Sequence, residues 1–212
     1  MALLSAVLAA VLAYLIGSIN FAIITSRVVI KRDIREYGSG NAGMTNVLRI
    51  LGKWPAVVVT AGDFLKGVTA ILIGRWLAEA FMGEVPVYID HVAALAATLG
   101  HCFPVFYKFK GGKGRLVSAG IILMTCPLAL VVMLTVFAAL TLATRIVSVG
   151  SIAAAAIYPV LVLAIGLAAG ASALWLDALS ALLRAALVIW MHRGNIKRLL
   201  NGTENRFGKK KA

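Results

Sequence analysis

Charged residues, and acidic ones above all, are scarce in this chain. Only 8 of its 212 residues are Asp or Glu, against 21 Lys or Arg, and charged residues make up 14% of the total while hydrophobic ones make up 61%. A soluble domain carries about 25% charged and roughly 45–50% apolar residues. The balance therefore excludes an ordinary soluble protein and favours one that lies in a membrane.

Cysteine is nearly absent, since Cys102 and Cys126 are the only two. Two cysteines cannot build a disulfide framework, and the sequence has no C-x-x-C pair, no His/Cys metal spacing and no nucleotide-binding fingerprint. We therefore expect neither a metal nor a cofactor. We also expect no cleavable signal peptide, because the first apolar run follows no basic segment and is long enough to span a bilayer.

The net charge of +13 is distributed as in a membrane protein rather than a nucleic-acid-binding one. Basic residues crowd into a few hydrophilic segments between apolar runs, which is the pattern of the positive-inside rule. These segments carry few of the aromatic residues that would stack on bases. We expect contact with membrane lipid and no binding of nucleic acid.

The charge bias of the hydrophilic segments predicts an orientation. The segments at 27–53, at 108–115 and from 192 onward are strongly basic, whereas the segment at 75–91 has one arginine and three acids. The positive-inside rule places the first three in the cytoplasm and the fourth outside. The N-terminus is then outside and the C-terminus cytoplasmic, which requires an odd number of crossings.

Three crossings are predicted at 2–26, 56–74 and 92–107, and the stretch from Leu116 to Met191 fits either two more or four. Two crossings need about 40–50 residues and would leave much apolar sequence unexplained. Four crossings use breaks at Cys126-Pro127, at Thr144-Arg145 and between Gly166 and Gly170. We favour four, which makes the chain an all-α polytopic membrane protein, one domain over 1–212, with seven transmembrane helices.

The four-crossing prediction has a consequence for the segment before Leu116. Residues 116–125 are too few to span about 30 Å, so this helix must begin below the cytoplasmic surface, where protein or a watery cavity surrounds it. The glycine-rich segment at 108–115 would then be sunk into the membrane face.

The first basic segment has the composition of an anion site. It reads Gly38-Ser39-Gly40-Asn41-Ala42-Gly43-Met44-Thr45-Asn46, and Arg49 follows. Glycine lets backbone N–H groups approach an anion, the short polar side chains add neutral donors, and arginine binds phosphate in a bidentate manner. A helix beginning near Thr45 would add its N-terminal amides. The alternative is a flexible Gly/Ser/Asn loop without a ligand.

Two further cytoplasmic segments offer cations. Lys113 stands in the run Lys110-Gly111-Gly112-Lys113-Gly114, which lets the backbone approach a phosphate, although a basic turn on anionic lipid is an equal alternative. His192 and Asn195 lie one helical turn apart, with Arg198 nearby, or else form a basic anchor. Asp63 and Lys66, i and i+3 within an apolar run, form either a structural or a catalytic pair.

At these residues the chain resembles the bacterial acyl-phosphate:glycerol-3-phosphate acyltransferases, integral membrane enzymes of phospholipid synthesis. The matching pieces are Gly38 to Arg49, Asp63 to Gly67, Gly100-His101 with Pro104, Phe109 to Gly114, and His192 to Asn201. The resemblance implies transfer of a fatty acyl group from acyl phosphate to the 1-hydroxyl of sn-glycerol 3-phosphate. It also implies a seven-helix fold in the bacterial inner membrane, with the active site facing the cytoplasm. One departure is Arg115-Leu116-Val117, where the family usually has Val-Ala-Thr.

The candidate residues follow from the three segments and the resemblance together. The candidate catalytic residues are Ser39, Asn41, Arg49, Lys113 and His192. The candidate substrate-binding residues are Gly40, Gly43, Thr45, Asn46, His101, Gly111, Gly112, Gly114, Asn195 and Arg198. Acyl phosphate is a reactive mixed anhydride, so the site need only position the acceptor and stabilise the departing phosphate, without a covalent intermediate. The H-x-x-x-x-D motif of thioester-dependent acyltransferases is absent. The rival function is transport of an organophosphate anion.

Overall fold

The computed structural model describes residues 1–207, which form ten α-helices and no β-strand. They fall into two compact units, one from Met1 to Thr125 and one from Cys126 onward. The helices of the first unit are α1 Ala2–Ser18, α2 Phe21–Ile30, α3 Met44–Leu51, α4 Lys53–Met82, α5 Val87–Cys102 and α6 Arg115–Thr125. Those of the second are α7 Pro127–Thr144, α8 Val147–Ala169, α9 Leu174–Met191 and α10 Arg193–Leu200. The all-helical prediction is confirmed for the described residues, and the single domain stays a prediction.

The first apolar run is broken, where the sequence predicted one helix over residues 2–26. Ile19 is extended, with φ −66° and ψ 111°, and Asn20 is the N-cap of α2. The Asn20 side chain accepts a hydrogen bond from the Ile23 N–H at 3.1 Å, which satisfies one of the amides that a helix start leaves unpaired. Asparagine is a strong N-cap, so it ends one helix and begins the next within an apolar context that hid the break.

Helix α4 is longer than the predicted crossing at 56–74, and it includes Arg75. The Arg75 guanidinium binds Asp90 of α5 through both carboxylate oxygens, with a shortest distance of 2.6 Å. Pairing of this kind lets a charged residue continue an apolar helix. The hydrophilic segment at 75–91 is therefore mostly helical, and residues 83–86 connect α4 to α5.

Six segments among the described residues are long and apolar enough to cross a membrane: Ala2–Ile30, Lys53–Met82, Val87–Tyr107, Pro127–Thr144, Val147–Ala169 and Leu174–Met191. The three predicted helix breaks after Leu116 are confirmed, because α6, α7 and α8 end at Thr125, Thr144 and Ala169. Helix α6 has only 11 residues. The count of seven crossings and the orientation of the termini stay predictions, because they depend on whether the short helix α6 crosses the membrane as the seventh.

The position of α6 along α4 bears on that prediction. A Cβ added to Gly67 of α4 would overlap the Val117 carbonyl, and Arg75 donates to the Met124 carbonyl at 3.0 Å. Helix α6 therefore runs in the same direction as residues 67–75 of α4. Gly67 lies fourteen residues after Lys53, or about 21 Å along the helix. Helix α6 begins two residues before Val117, so its start is recessed by about 18 Å from the start of α4, as the sunken glycine-rich segment requires.

The C-terminal tail and Arg145 lie at the same end of the second unit. The Phe207 N–H donates to the Arg145 carbonyl at 3.0 Å, and the Ser148 hydroxyl donates to Glu204 at 3.1 Å. The helix pair α8 and α9 therefore leaves this end and returns to it, which the four-crossing interpretation needs.

We expect single cysteines beside Arg49, Lys113, Arg145 and His192, in a cysteine-free background, to react with an impermeant thiol reagent only in inverted vesicles. The reason is the basic charge that flanks all four positions. A cysteine beside Glu84 is the control, because it should react only in right-side-out vesicles. Labelling beside Arg145 from the outside would eliminate the four-crossing topology.

Candidate active site

Asn46 organises the first glycine-rich loop, defined as residues 38–43. It is buried in the first turn of α3, and its amide nitrogen donates to three backbone carbonyls at 2.9–3.2 Å, those of Ile34, Tyr37 and Asn41. Its Oδ1 accepts from the Ser39 N–H at 3.0 Å and from Arg49 at 3.4 Å. With its hydrogen-bonding groups committed to the protein, Asn46 acts as the support of the loop.

The loop presents its polar groups outward from this support. Ser39 and Gly40 are exposed, and Asn41 is half-buried. Gly38 has φ +60°, and a Cβ there would overlap the Asn46 Oδ1, so only glycine fits. Arg49, one turn after Asn46 on α3, is also exposed. Of the predicted catalytic groups of this segment, Ser39 and Asn41 thus stand on the loop and Arg49 stands on α3.

The second glycine-rich loop, defined as residues 108–114, folds back on the end of α5. The Gly111 N–H donates to the Cys102 carbonyl and the Gly112 N–H to the His101 carbonyl, both at 3.1 Å. These bonds satisfy carbonyls that the end of a helix leaves unpaired. A Cβ on Gly112 would overlap the His101 Nε2 and lie 2.8 Å from the Ala42 carbonyl of the first loop. His101, 3% exposed, therefore packs directly beneath Gly112.

Arg35 joins the segment that precedes the first loop to the second loop. One of its Nη atoms donates to the carbonyls of Tyr107 and Lys110, both at 2.9 Å, while its Nε and other Nη bind the Asp33 carboxylate at 2.9 and 2.8 Å. The hydrogen-bonded Arg35 guanidinium holds the pKa of Asp33 below its ordinary value, so this carboxylate is ionised at neutral pH. The sequence interpretation assigned no role to Arg35.

Arg115, the residue that departs from the family pattern, makes a further connection. It is the first residue of α6, and its guanidinium donates to the Thr45 hydroxyl of α3 at 3.3 Å. The two loops therefore meet directly where Gly112 lies against Ala42, and the residues that flank them are joined by Arg35 and by Arg115 with Thr45. Lys113, half-buried, stands between Gly112 and Arg115 in the chain.

In the second unit, His192 is held in a defined orientation at the junction of α9 and α10. Its Nδ1 lies 2.7 Å from the Val188 carbonyl, and the residue is 4% exposed. A carbonyl oxygen only accepts, so Nδ1 carries the hydrogen, and in this neutral tautomer Nε2 is the nitrogen that can accept a proton. The orienting partner of Nδ1 is thus the Val188 backbone carbonyl.

Glu204 organises the tail, and the sequence interpretation missed it. Its carboxylate accepts from the Asn195 amide at 2.7 Å, from Arg198 at 2.8 Å and from the Ser148 hydroxyl at 3.1 Å. The signal that could have found it is that Glu204 is the lone acid in a tail with seven Lys or Arg. This largely buried carboxylate, with three donors, joins Asn195 and Arg198 of α10 to Ser148 of α8.

Comparison with known proteins gives a consistent result over nearly the whole chain. The sequence model of the glycerol-3-phosphate acyltransferase family matches residues 7–202, which include both glycine-rich loops, His192 and Asn195. A glycerol-3-phosphate acyltransferase of Thermoanaerobacter pseudethanolicus is 44% identical over 209 residues, 97% of each chain. The chain belongs to the glycerol-3-phosphate acyltransferase family. It is an acyltransferase of lipid biosynthesis and a membrane protein, as the resemblance implied.

Other members of the family extend the likeness. A glycerol-3-phosphate acyltransferase of Syntrophotalea carbinolica is 45% identical over 195 residues, 92% of this chain and 94% of the relative. Two crystal structures of PlsY (YgiH), described as an integral membrane glycerol 3-phosphate acyltransferase, are 37% identical over 96% of both chains. The TM-score is 0.81 for the glycerol 3-phosphate form and 0.79 for the lysophosphatidic acid form.

Proposed function

We propose that this protein transfers a fatty acyl group from acyl phosphate to the 1-hydroxyl of sn-glycerol 3-phosphate, giving lysophosphatidic acid and phosphate. Acylation of glycerol 3-phosphate follows from the family to which the chain belongs. The observation that carries the proposal is the contact between the two glycine-rich loops, with Lys113 in the second loop and Arg49 on α3 directly after the first. Such an arrangement suits substrates that each carry a phosphate.

The choice of acyl phosphate as donor rests on the chemistry of the residues. Ser39, Asn41 and the loop amides are neutral donors that can stabilise the developing oxyanion of the acyl carbonyl. The acceptor oxygen attacks the carbonyl carbon, the bond from that carbon to the phosphate oxygen breaks, and phosphate leaves with the electron pair. The hydroxyl proton passes to a phosphate oxygen or to His192. Because the anhydride is already activated, the reaction requires no nucleophilic side chain and no metal.

We propose that the cations divide their work between binding and anchoring. Lys113 and Arg49 bind the substrate phosphates, His101 and Asn46 hold the loops, and Arg198, paired with Glu204, anchors the tail. We further propose that these groups face the cytoplasm of a bacterial plasma membrane, in agreement with the basic charge of their segments and tested by the labelling experiment above.

Purified protein in detergent tests the proposal directly. We expect release of phosphate from acyl phosphate only when glycerol 3-phosphate is present, with one lysophosphatidic acid formed for each phosphate. The same protein should form no product from an acyl thioester. If the protein reconstituted in vesicles takes up glycerol 3-phosphate and transfers no acyl group, the protein is a transporter instead.

We expect His192→Asn to raise the Michaelis constant for glycerol 3-phosphate more than it lowers the maximal rate, because an asparagine amide can still hydrogen-bond the acceptor. The orienting group of His192 is the Val188 carbonyl, which offers less stabilisation to an imidazolium than a carboxylate would. Initial rates over both substrates separate the two constants.

The competing role for His192 is general base. In that case the variant would lose several orders of magnitude in rate at saturating substrate, keep its acceptor affinity, and lose the acidic limb of the pH–rate profile. Arg193→Asn is the control, since the exposed Arg193 side chain neighbours His192 without a proposed role.

A further inference from the structure

An ion pair lies buried beneath the two glycine-rich loops, in the interior of the first unit. Asp63 and Lys66 of α4 are 1% and 4% exposed, and the Lys66 Nζ lies 3.0 Å from the Asp63 Oδ1. Removing two charges from solvent is costly, and a buried pair contributes little to net stability compared with an apolar pair of similar volume. The presence of the Asp63–Lys66 pair in an apolar helix therefore indicates a role other than stability.

One contact of the pair connects it to the first loop. Lys66 donates to the Ile19 carbonyl at 2.6 Å, at the break between α1 and α2. The next residue, Asn20, caps α2, and its amide nitrogen approaches the Ala42 carbonyl of the first loop at 3.5 Å. Lys66 thus fixes the point from which Asn20 reaches the loop.

The other contact connects the pair to the second loop. The His101 Nδ1 lies 3.7 Å from the Asp63 Oδ1, while the opposite edge of the same imidazole packs against Gly112. The carbonyls of His101 and Cys102 accept the N–H groups of Gly112 and Gly111. The carboxylate therefore faces the side chain on which the second loop rests.

We propose that Asp63 and Lys66 are positioning residues that hold both glycine-rich loops in register, Lys66 through Ile19 and Asn20 and Asp63 through His101. The two routes meet where Gly112 lies against Ala42. A displacement of either route would separate the loops, and a phosphate held by groups of both would lose contacts. The proposal rests on the proposed function only for its kinetic assay.

The test uses the double variant Asp63→Leu/Lys66→Met, which replaces the ion pair by apolar side chains and leaves no unpaired charge. We expect its melting temperature in detergent to stay within about 5 °C of the native protein, whereas either single change should lower it further. We expect the Michaelis constant for glycerol 3-phosphate to rise by about tenfold or more, with a smaller change in kcat. Hydrogen exchange should quicken at the amides of Gly111 and Gly112.

The matched control is the pair Arg75–Asp90, on the same helix α4 and also in the first unit, but without a contact to either loop. Arg75→Met/Asp90→Leu should leave both the Michaelis constant and the exchange of the loop amides at native values. A control that changes the loops as much as Asp63→Leu/Lys66→Met does would overturn the proposal, because the effect would then be general.

Native Michaelis constant and native loop exchange in the folded Asp63→Leu/Lys66→Met protein would also overturn it. If that double variant does not fold, His101→Ala decides, since it keeps the ion pair and removes only the support under Gly112. His101→Ala should weaken glycerol 3-phosphate binding, and His101→Gln, which keeps volume and a polar end, should restore it. An unchanged Michaelis constant in His101→Ala contradicts the proposal.

Inactive native protein would refute the proposed function instead, and hydrogen exchange would still test the positioning role.

Discussion

Gly112→Ala is expected to lower kcat/KM for glycerol 3-phosphate by about tenfold to a hundredfold. The added methyl group would overlap the His101 imidazole and lie 2.8 Å from the Ala42 carbonyl, so one of the two loops must move. Overpacking of this kind costs about 1–3 kcal/mol. If that strain falls on the active site, the same energy lowers kcat/KM by about tenfold to a hundredfold. Steady-state kinetics over both substrates measure the loss.

Gly194→Ala is the matched control for this prediction. Gly194 lies within α10, and its nearest neighbour for an added Cβ is an Arg198 nitrogen at 3.6 Å, an ordinary contact distance. Alanine also favours a helix by up to about 1 kcal/mol over glycine. We expect Gly194→Ala to be fully active. Equal activity in the two variants would show that the second loop accommodates a side chain and that its contact with His101 is unimportant.

Lys113→Ala and Arg49→Ala are each expected to reduce kcat/KM at least about a hundredfold. Charge-assisted hydrogen bonds to a phosphate contribute roughly 1.5–3 kcal/mol, and more where water is excluded. Lys113 is half-buried just before the start of α6, whereas Arg49 is exposed on α3. The loss in Lys113→Ala should therefore be the larger one, with both proteins folded as judged by their melting temperature.

Lys110→Ala is the control, because its exposed side chain carries the same charge in the same loop, and only its backbone carbonyl contacts Arg35. Arg198→Ala should also matter less, since Arg198 is paired with Glu204. Near-native rates in both Lys113→Ala and Arg49→Ala would remove these cations from the site and leave the loop amides as its phosphate-binding groups.

The helix breaks show which parts of the fold were readable from sequence. Cys126-Pro127 and Gly170 interrupt apolar runs by residues whose backbone preferences are local, so their effect was predicted and is confirmed. Asn20 was not recognised as a break, because a single polar residue within an apolar run acts by capping, and capping depends on the backbone that surrounds it. The length of α4 was underestimated because Asp90, distant in sequence, neutralises Arg75.

Some residues of the candidate site could likewise be predicted from the sequence and others could not. Three glycine-rich or basic segments were identified because their composition differs from that of the apolar runs around them. Arg35 and Glu204 were overlooked, since an arginine or a glutamate in a basic segment gives no local sign of the carbonyls and amides that it binds. Asn46 was predicted to bind substrate, which stays a prediction, and its hydrogen bonds to backbone groups also make it the support of the first loop.

The sequence by itself determined the membrane class, the all-helical architecture, the family and the three segments that carry the chemistry. Composition and short motifs are local properties, and both can be recognised in a sequence without knowing the tertiary contacts of the residues. Only the tertiary structure decided that α6 begins about 18 Å along α4, that Gly112 rests on His101, and that Lys66 holds the break at Ile19. The contacts of Gly67 with Val117 and of Lys66 with Ile19 join residues more than 40 positions apart. All three contacts depend on how the helices and loops pack rather than on any local pattern.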